Sequence, residues 1–315
     1  MQDSKNWNEQ KEFKGGFYGL KLMLFINNYG GRYIFSLVLL VVMFFYYLIA
    51  KKQRQYSREF LDAVNETREK RGLKKLKLST FVHFMSFGFM IIDKLKSWQG
   101  KLVLGKDLCF KGNSENNIKK YKDQGLLLFC SHFGNIESLR AIHTKNGSYV
   151  INSIFYTDNA KNYNRFLQTI SPNTNINIIS TTSMGPDTAV LLKEKIDNGQ
   201  IVAIAADRIP TTFSSNQNNR TCRVDFLNRK ANFPQGPFIL GSLLKCPAVV
   251  VFGLKNPVTN IIDIFCIDFD EKIVLDRKDK EASLQKYIQR YAKELEDLVI
   301  EYPYQWFNFF DFFKE

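Results

Sequence analysis

Three short apolar runs, Leu126–Cys130, Ile201–Ala206 and Val249–Leu254, constrain this chain more than any other feature. Each is short enough for a strand, and none shows the apolar–polar alternation of a strand with one wet face. Such runs suit strands buried on both faces, as in a parallel sheet covered by helices. The segments around them fit that picture. Lys101–Leu104, Leu108–Lys111, Val150–Phe155, Ile176–Ile179 and Ile261–Asp268 read as further strands. Residues 51–75, 79–98, Asn117–Gln124, Asn135–Thr144, Asn159–Gln168, Pro186–Asp197, Pro237–Lys245 and Ser283–Ile300 read as helices. Gly72, Gly125 and Gly199 serve as stops, and Pro237 sits at a first turn. The alternation predicts an α/β fold with a mixed, mainly parallel sheet flanked by helices. Sites in such folds lie at the carboxyl ends of strands. His132 and Asp207-Arg208 fall there.

An uncharged apolar run, Tyr33–Ala50, precedes this unit. Its 18 residues sit at the short end of what a spanning helix needs, about 20. Tyr33 and Tyr46-Tyr47 suit interfacial positions, and Lys51, Lys52, Arg54 and Arg58 follow. The expected organisation is a membrane-anchoring segment, residues 1–50, and an α/β domain, residues 51–315. The basic cluster predicts a cytoplasmic face for that domain. The N-terminal flank is basic too, and Phe17–Ile26 is a short amphipathic patch, so a monotopic anchor with both ends on one side fits as well. A buried core helix is the remaining reading of the run.

Net charge is +13, from 44 basic and 31 acidic residues, which suits an anionic partner. The positive charge is dispersed and forms no basic recognition helix, which argues against a nucleic-acid partner. The five cysteines, Cys109, Cys130, Cys222, Cys246 and Cys266, are isolated and odd in number. They read as reduced thiols of a cytosolic compartment. With three histidines and no ligand cluster, neither a metal nor a cofactor is expected.

His132 and Glu137 stand five residues apart just after the run Leu126–Cys130. A neutral imidazole can take a proton from a hydroxyl near neutral pH. A carboxylate on its second nitrogen fixes the tautomer and stabilises the cation. Glu137 is placed to reach back across a first helical turn, with Gly134 allowing a tight backbone. A structural histidine beside a surface glutamate is the plain alternative. No G-x-S-x-G elbow is present, so a base would act directly on an acceptor hydroxyl.

Four ordered blocks extend this motif. Cys130-Ser131-His132-Phe133-Gly134-Asn135-Ile136-Glu137 resembles the H-x-x-x-x-[D/E] block of the lysophospholipid acyltransferase superfamily, in the form of the bacterial lipid A biosynthesis (late) acyltransferase branch. Ala206-Asp207-Arg208-Ile209-Pro210, Phe226–Pro237 and Pro303-Tyr304-Gln305-Trp306 resemble later blocks of that branch. Asn228 departs from its usual Gly, Tyr304 from an acidic residue, and the Phe-rich tail after Trp306 from its Arg-Trp ending.

The resemblance implies an inner-membrane O-acyltransferase with its catalytic domain on the cytoplasmic face. It would move a fatty acyl group from acyl carrier protein or acyl-CoA to a hydroxyl of a membrane lipid. His132 would be the base and Glu137 its partner. Asp207 and Arg208 would contact substrate, and Phe233, Pro234 and Gly236 would shape its wall. For Asp207-Arg208 a strand-end salt bridge, and for Phe233–Gly236 a turn before a helix, are equally simple readings. The acceptor stays open among lipid A precursors, aryl polyene or flexirubin-type pigments and aminolipids. A non-catalytic membrane-anchored binding protein is the alternative from another class. Arg165 is a further candidate anion contact, and Ser214–Asn219 a candidate lid.

Overall fold

The computed structural model describes residues 26, 31–121, 124–139, 150–155, 176–180, 185–208 and 221–313. Strands Leu108–Phe110 (β1), Leu126–Cys130 (β2), Ile151–Phe155 (β3), Ile176–Ser180 (β4), Ile201–Ala205 (β5), Ala248–Lys255 (β8) and Ile262–Asp270 (β9) form one seven-stranded sheet. Its order is β1-β9-β8-β2-β5-β3-β4. Every pairing is parallel except β8 with β9. A separate antiparallel hairpin joins Thr221–Phe226 (β6) to Arg229–Pro234 (β7). The fold is therefore α/β with a mixed, mostly parallel sheet, as the alternation of runs predicts.

The uniform apolarity of β2 follows from its place between two layers. Leu127 and Phe129 enter a core that also contains Phe238 of helix Gly236–Leu244 (α6) and Tyr291 and Leu295 of Lys280–Val299 (α7). Leu126, Leu128 and Cys130 face the opposite layer, with Ile118 of Ser114–Lys119 (α4) and Tyr121. All five β2 residues are buried, so both faces are dry. Fully burying such a side chain stabilises the fold by about 1.5–3 kcal/mol before entropy is charged against it.

Among the described residues these helices precede the sheet: Gly31–Ile49 (α1), Lys51–Lys70 (α2) and Thr80–Trp98 (α3). Pro186–Asp197 (α5) covers β5. On α1, Phe35, Leu39 and Met43 recur every four residues and pack on Phe84, Met85 and Ile92 of α3. Gly88 permits the close approach: a Cβ there would lie 3.0 Å from Leu39 Cδ1 and from Met43 Cγ. A broad face of α1 is exposed, including Leu37, Val41, Phe45 and Ile49.

At Ala50 the chain turns by 94° into the charged α2. No single helix among the described residues is long and apolar enough to cross a membrane; α1 and α2 meet that test only as a bent pair. The expected spanning helix is thus corrected to an apolar helix that stops at Ala50 and has one stripe docked on α3.

Other expectations shift locally. Lys101–Leu104 contributes only a bridge at Leu104, and the helix expected over Asn117–Gln124 is Ser114–Lys119. The segment after Asn135 opens as a 3-10 turn, Ile136–Leu139, rather than an α-helix. The β6–β7 hairpin was not foreseen. Arg165, the Asn159–Gln168 stretch and the Ser214–Asn219 loop lie outside the described residues.

Candidate active site

Sheet register brings the site together. Cys130 at the end of β2 pairs with Ala205 at the end of β5, and Ala206 N–H donates to Cys130 O at 2.9 Å. Two residues further along each chain stand His132 and Asp207. The parallel ladder therefore sets them side by side at the carboxyl edge. His132 N–H donates to Asp207 Oδ2 at 3.0 Å, and His132 Nδ1 lies 3.0 Å from Asp207 Oδ1. Since the ionised carboxylate only accepts, Nδ1 carries the proton and Nε2 holds the lone pair. Among the described residues Nε2 has no hydrogen-bond partner, and 48% of the His132 side-chain surface is open.

Asp207 is fully buried. Burial alone would raise its pKa, but the His132 ring and its hydrogen bonds, with Arg208, hold it down at about 2. Its Oδ2 also accepts from Trp306 Nε1 at 3.3 Å and lies 3.7 Å from Arg208 Nε. It is the convergence of donors that allows a charge to remain buried here. Burial lowers the His132 pKa against the upward pull of Asp207, and Arg208 and Lys94 lower it further. The ring is therefore a neutral base with an oriented lone pair.

The loop is pinned from the other side by a pair of glycines. Gly134 has φ +70°, open to L side chains only with strain, and a Cβ there would run into the Gly253 carbonyl. Asn135 N–H donates to Gly253 O at 2.8 Å, and Gly134 N–H to Gln305 O at 2.9 Å. Gln305 in turn clamps β8: its Oε1 accepts from Lys255 N–H at 2.8 Å, and its Nε2 donates to Lys255 O at 2.7 Å. The Pro303–Trp306 block is thus a bracket that holds the histidine loop against β8.

The sequence-predicted residues fall into three groups. His132, Asp207 and Arg208 meet. Glu137 sits on the 3-10 turn, in the field of Lys94. The Nδ1 acceptor role expected of Glu137 belongs to Asp207, because strand register, not helical spacing, decides who faces the ring. Phe233 and Pro234, expected to shape a substrate wall, are enclosed by the described chain. Both are buried on β7, and Phe233 packs on Phe226, Tyr291 and Phe312 beneath the site. Gly236 is exposed at the start of α6.

Arg208 is drawn inward. Its Nη2 donates to Phe307 O at 2.9 Å and its guanidinium stacks 5.0 Å from the Phe310 ring.

Two residues were missed by sequence reasoning. Trp306 was noticed only as part of a block, although a buried indole demands an acceptor. Lys94 stands between Asp93 and Lys96 near the end of α3, so nothing in the sequence sets it apart from a solvated helix end. Burial lowers its pKa, Glu137 opposes this, and Arg208 adds to it.

A cavity of about 220 Å³ adjoins this edge between α3 and the Pro303–Gln305 turn, lined among others by Phe89, Met90, Asn135, Lys255 and Phe307. Cys130 and Ser131 are buried, and burial pushes the Cys130 thiol far up, so neither is an available nucleophile. Among the described residues no group of His, Cys, Asp and Glu could hold a metal ion. No protein-family model and no curated protein sequence matches the chain.

Proposed function

We propose that this protein is a membrane-associated O-acyltransferase that moves a fatty acyl group from a thioester to a hydroxyl of a lipid acceptor. The observation that carries the proposal is the His132–Asp207 pair: a buried carboxylate holding a half-open imidazole whose Nε2 has no partner among the described residues. That arrangement suits general-base attack by a hydroxyl without a covalent enzyme intermediate. Nε2 removes the hydroxyl proton, the oxygen attacks the thioester carbonyl, and the thiolate leaves with the proton returned from the imidazolium. Asp207 stabilises that cation throughout. Lys94, whose charge acts on the ring, favours an anionic substrate group, while Arg208 is engaged with Asp207 and the Phe307 carbonyl. Acyl carrier protein or acyl-CoA is the donor on this reading, and the net basic surface supports an acidic carrier.

The membrane side of the proposal rests on α1. Its open face presents Leu37, Val41, Phe45 and Ile49 to the surroundings, while Lys51 and Lys52 follow at the bend. Such a helix suits lying along the inner membrane's cytoplasmic surface, with the basic bend at the headgroups. The resemblance to the lipid A biosynthesis branch makes lipid A precursors, aryl polyene or flexirubin-type pigments and aminolipids the acceptors to examine.

The test is mass spectrometry of lipid and pigment extracts from cells carrying the wild-type chain or His132→Ala. The proposal expects a species lighter by one acyl group in the variant. Identical profiles, with the variant protein folded and present, would sink it.

A further inference from the structure

The proposed reaction assigns no role to Trp306, yet the described chain encloses its indole completely. Phe60, Phe226 and Phe312 surround it edge-on, with ring centroids 5.1, 5.1 and 4.8 Å away. Its backbone carbonyl accepts from His83 Nε2 at 3.1 Å. The enclosed indole points its N–H at Asp207 Oδ2, 3.3 Å away. Packing alone would be served by phenylalanine, which this chain uses 28 times. The tryptophan adds a donor, and that donor meets the carboxylate on the oxygen that does not face His132 Nδ1.

Resting on the acyltransferase reading, we propose that Trp306 is a positioning residue for the base: its N–H fixes the Asp207 carboxylate and thereby sets the orientation and basicity of His132. The indole shares the negative charge of Asp207, so the carboxylate attracts a proton on His132 less strongly than it otherwise would. It also blocks rotation of the carboxylate, keeping Oδ1 on Nδ1. The other groups acting on the pair are Arg208 beside Asp207, Lys94 from α3, and Cys130 and Tyr291 on the Asp207 side. Tyr291 OH is occupied by Cys130 O at 2.8 Å, and Cys130 is a buried thiol, so neither replaces the indole as a donor to Asp207.

The test reads His132 directly. Imidazole signals of the full-length chain are titrated by NMR, with His132 assigned by their loss in His132→Gln; only His83 and His143 compete. Trp306→Phe keeps an aromatic ring in the cage and removes the donor. The His132 midpoint should rise by about half a pH unit or more, the direction expected when Asp207 loses a hydrogen bond to its charged form. Site-specific benzothienylalanine at 306, which keeps the indole shape and replaces N–H by sulfur, should give the same rise even where phenylalanine loosens the fold. An unchanged or lowered midpoint with benzothienylalanine would reduce Trp306 to packing and overturn the proposal. This readout needs no turnover. Full acyl transfer by His132→Gln would remove the function proposed above, while the titration would still decide the role of Trp306.

Discussion

Acidification is expected to loosen the protein first at His83. That ring is fully buried, with Nδ1 2.9 Å from Ser57 Oγ and Nε2 3.1 Å from Trp306 O. A carbonyl only accepts, so Nε2 carries the proton and Nδ1 accepts from the serine hydroxyl. Adding a second proton would turn Nδ1 into a donor facing a hydroxyl and place a charge in the core. Burial accordingly lowers the His83 pKa to about 3, against the small upward effect of the Trp306 carbonyl. Below pH ~6.5 the unfolded chain binds a proton that the native state refuses, so stability falls as pH drops through the window from 6.5 to 3. Each pH unit inside that window is worth about 1.4 kcal/mol, or roughly 2 kcal/mol between pH 6.5 and 5. Urea unfolding at pH 7 and pH 5 should therefore show the wild type losing about 2 kcal/mol more than His83→Gln, which has no proton to take up. Parallel losses in the two proteins would refute the reasoning.

Three further outcomes follow from the site. Asp207→Asn removes the upward pull on the His132 pKa, so the acid limb of kcat/KM should move to lower pH while kcat falls about 10²–10⁴-fold; an unchanged kcat in a pH-rate series would contradict the pairing. Gly134→Ala puts a Cβ against the Gly253 carbonyl at φ +70° and should destabilise the fold by at least about 1–3 kcal/mol in a denaturant melt, with activity lost. Asn228→Gly should be tolerated within about 1 kcal/mol, because Asn228 holds φ +58° in a two-residue hairpin turn and only its bond to Thr67 Oγ1 is lost; a larger drop in thermal stability would count against that account.

That last position shows what the sequence makes legible. The turn Leu227-Asn228 requires positive φ, which is why Gly at 228 would serve as well as Asn. The buried strands β2, β5 and β8 were readable because being dry on both faces leaves an unbroken apolar run. The hairpin was not, since β7 mixes Arg229 and Lys230 with Phe233 and closes on Pro234. His132, Asp207 and Arg208 were identified, but the link between the first two spans 75 residues, and only the pairing of β2 with β5 reveals it. Glu137 attracted attention because five-residue spacing can be counted along a chain, whereas register across a sheet cannot. The apolar segment Tyr33–Ala50 was visible, but its bend at Ala50 was not, and its docked stripe meets Gly88 of α3, far away in sequence.

The bracket built from Pro303–Trp306 has a consequence for the order of assembly. Asp207 and Arg208 are buried under Trp306, Phe307 and Phe310, about 100 residues later in the chain. Until that late segment docks, the carboxylate lacks one donor and the guanidinium lacks both its carbonyl and its ring. Pairing of β2 with β5 brings His132 and Asp207 together, but the set of donors around the carboxylate is complete only with the Pro303–Trp306 bracket in place. Burial of the Asp207 charge and closure of the bracket are thus one event, and any loosening of the bracket is felt at the carboxylate.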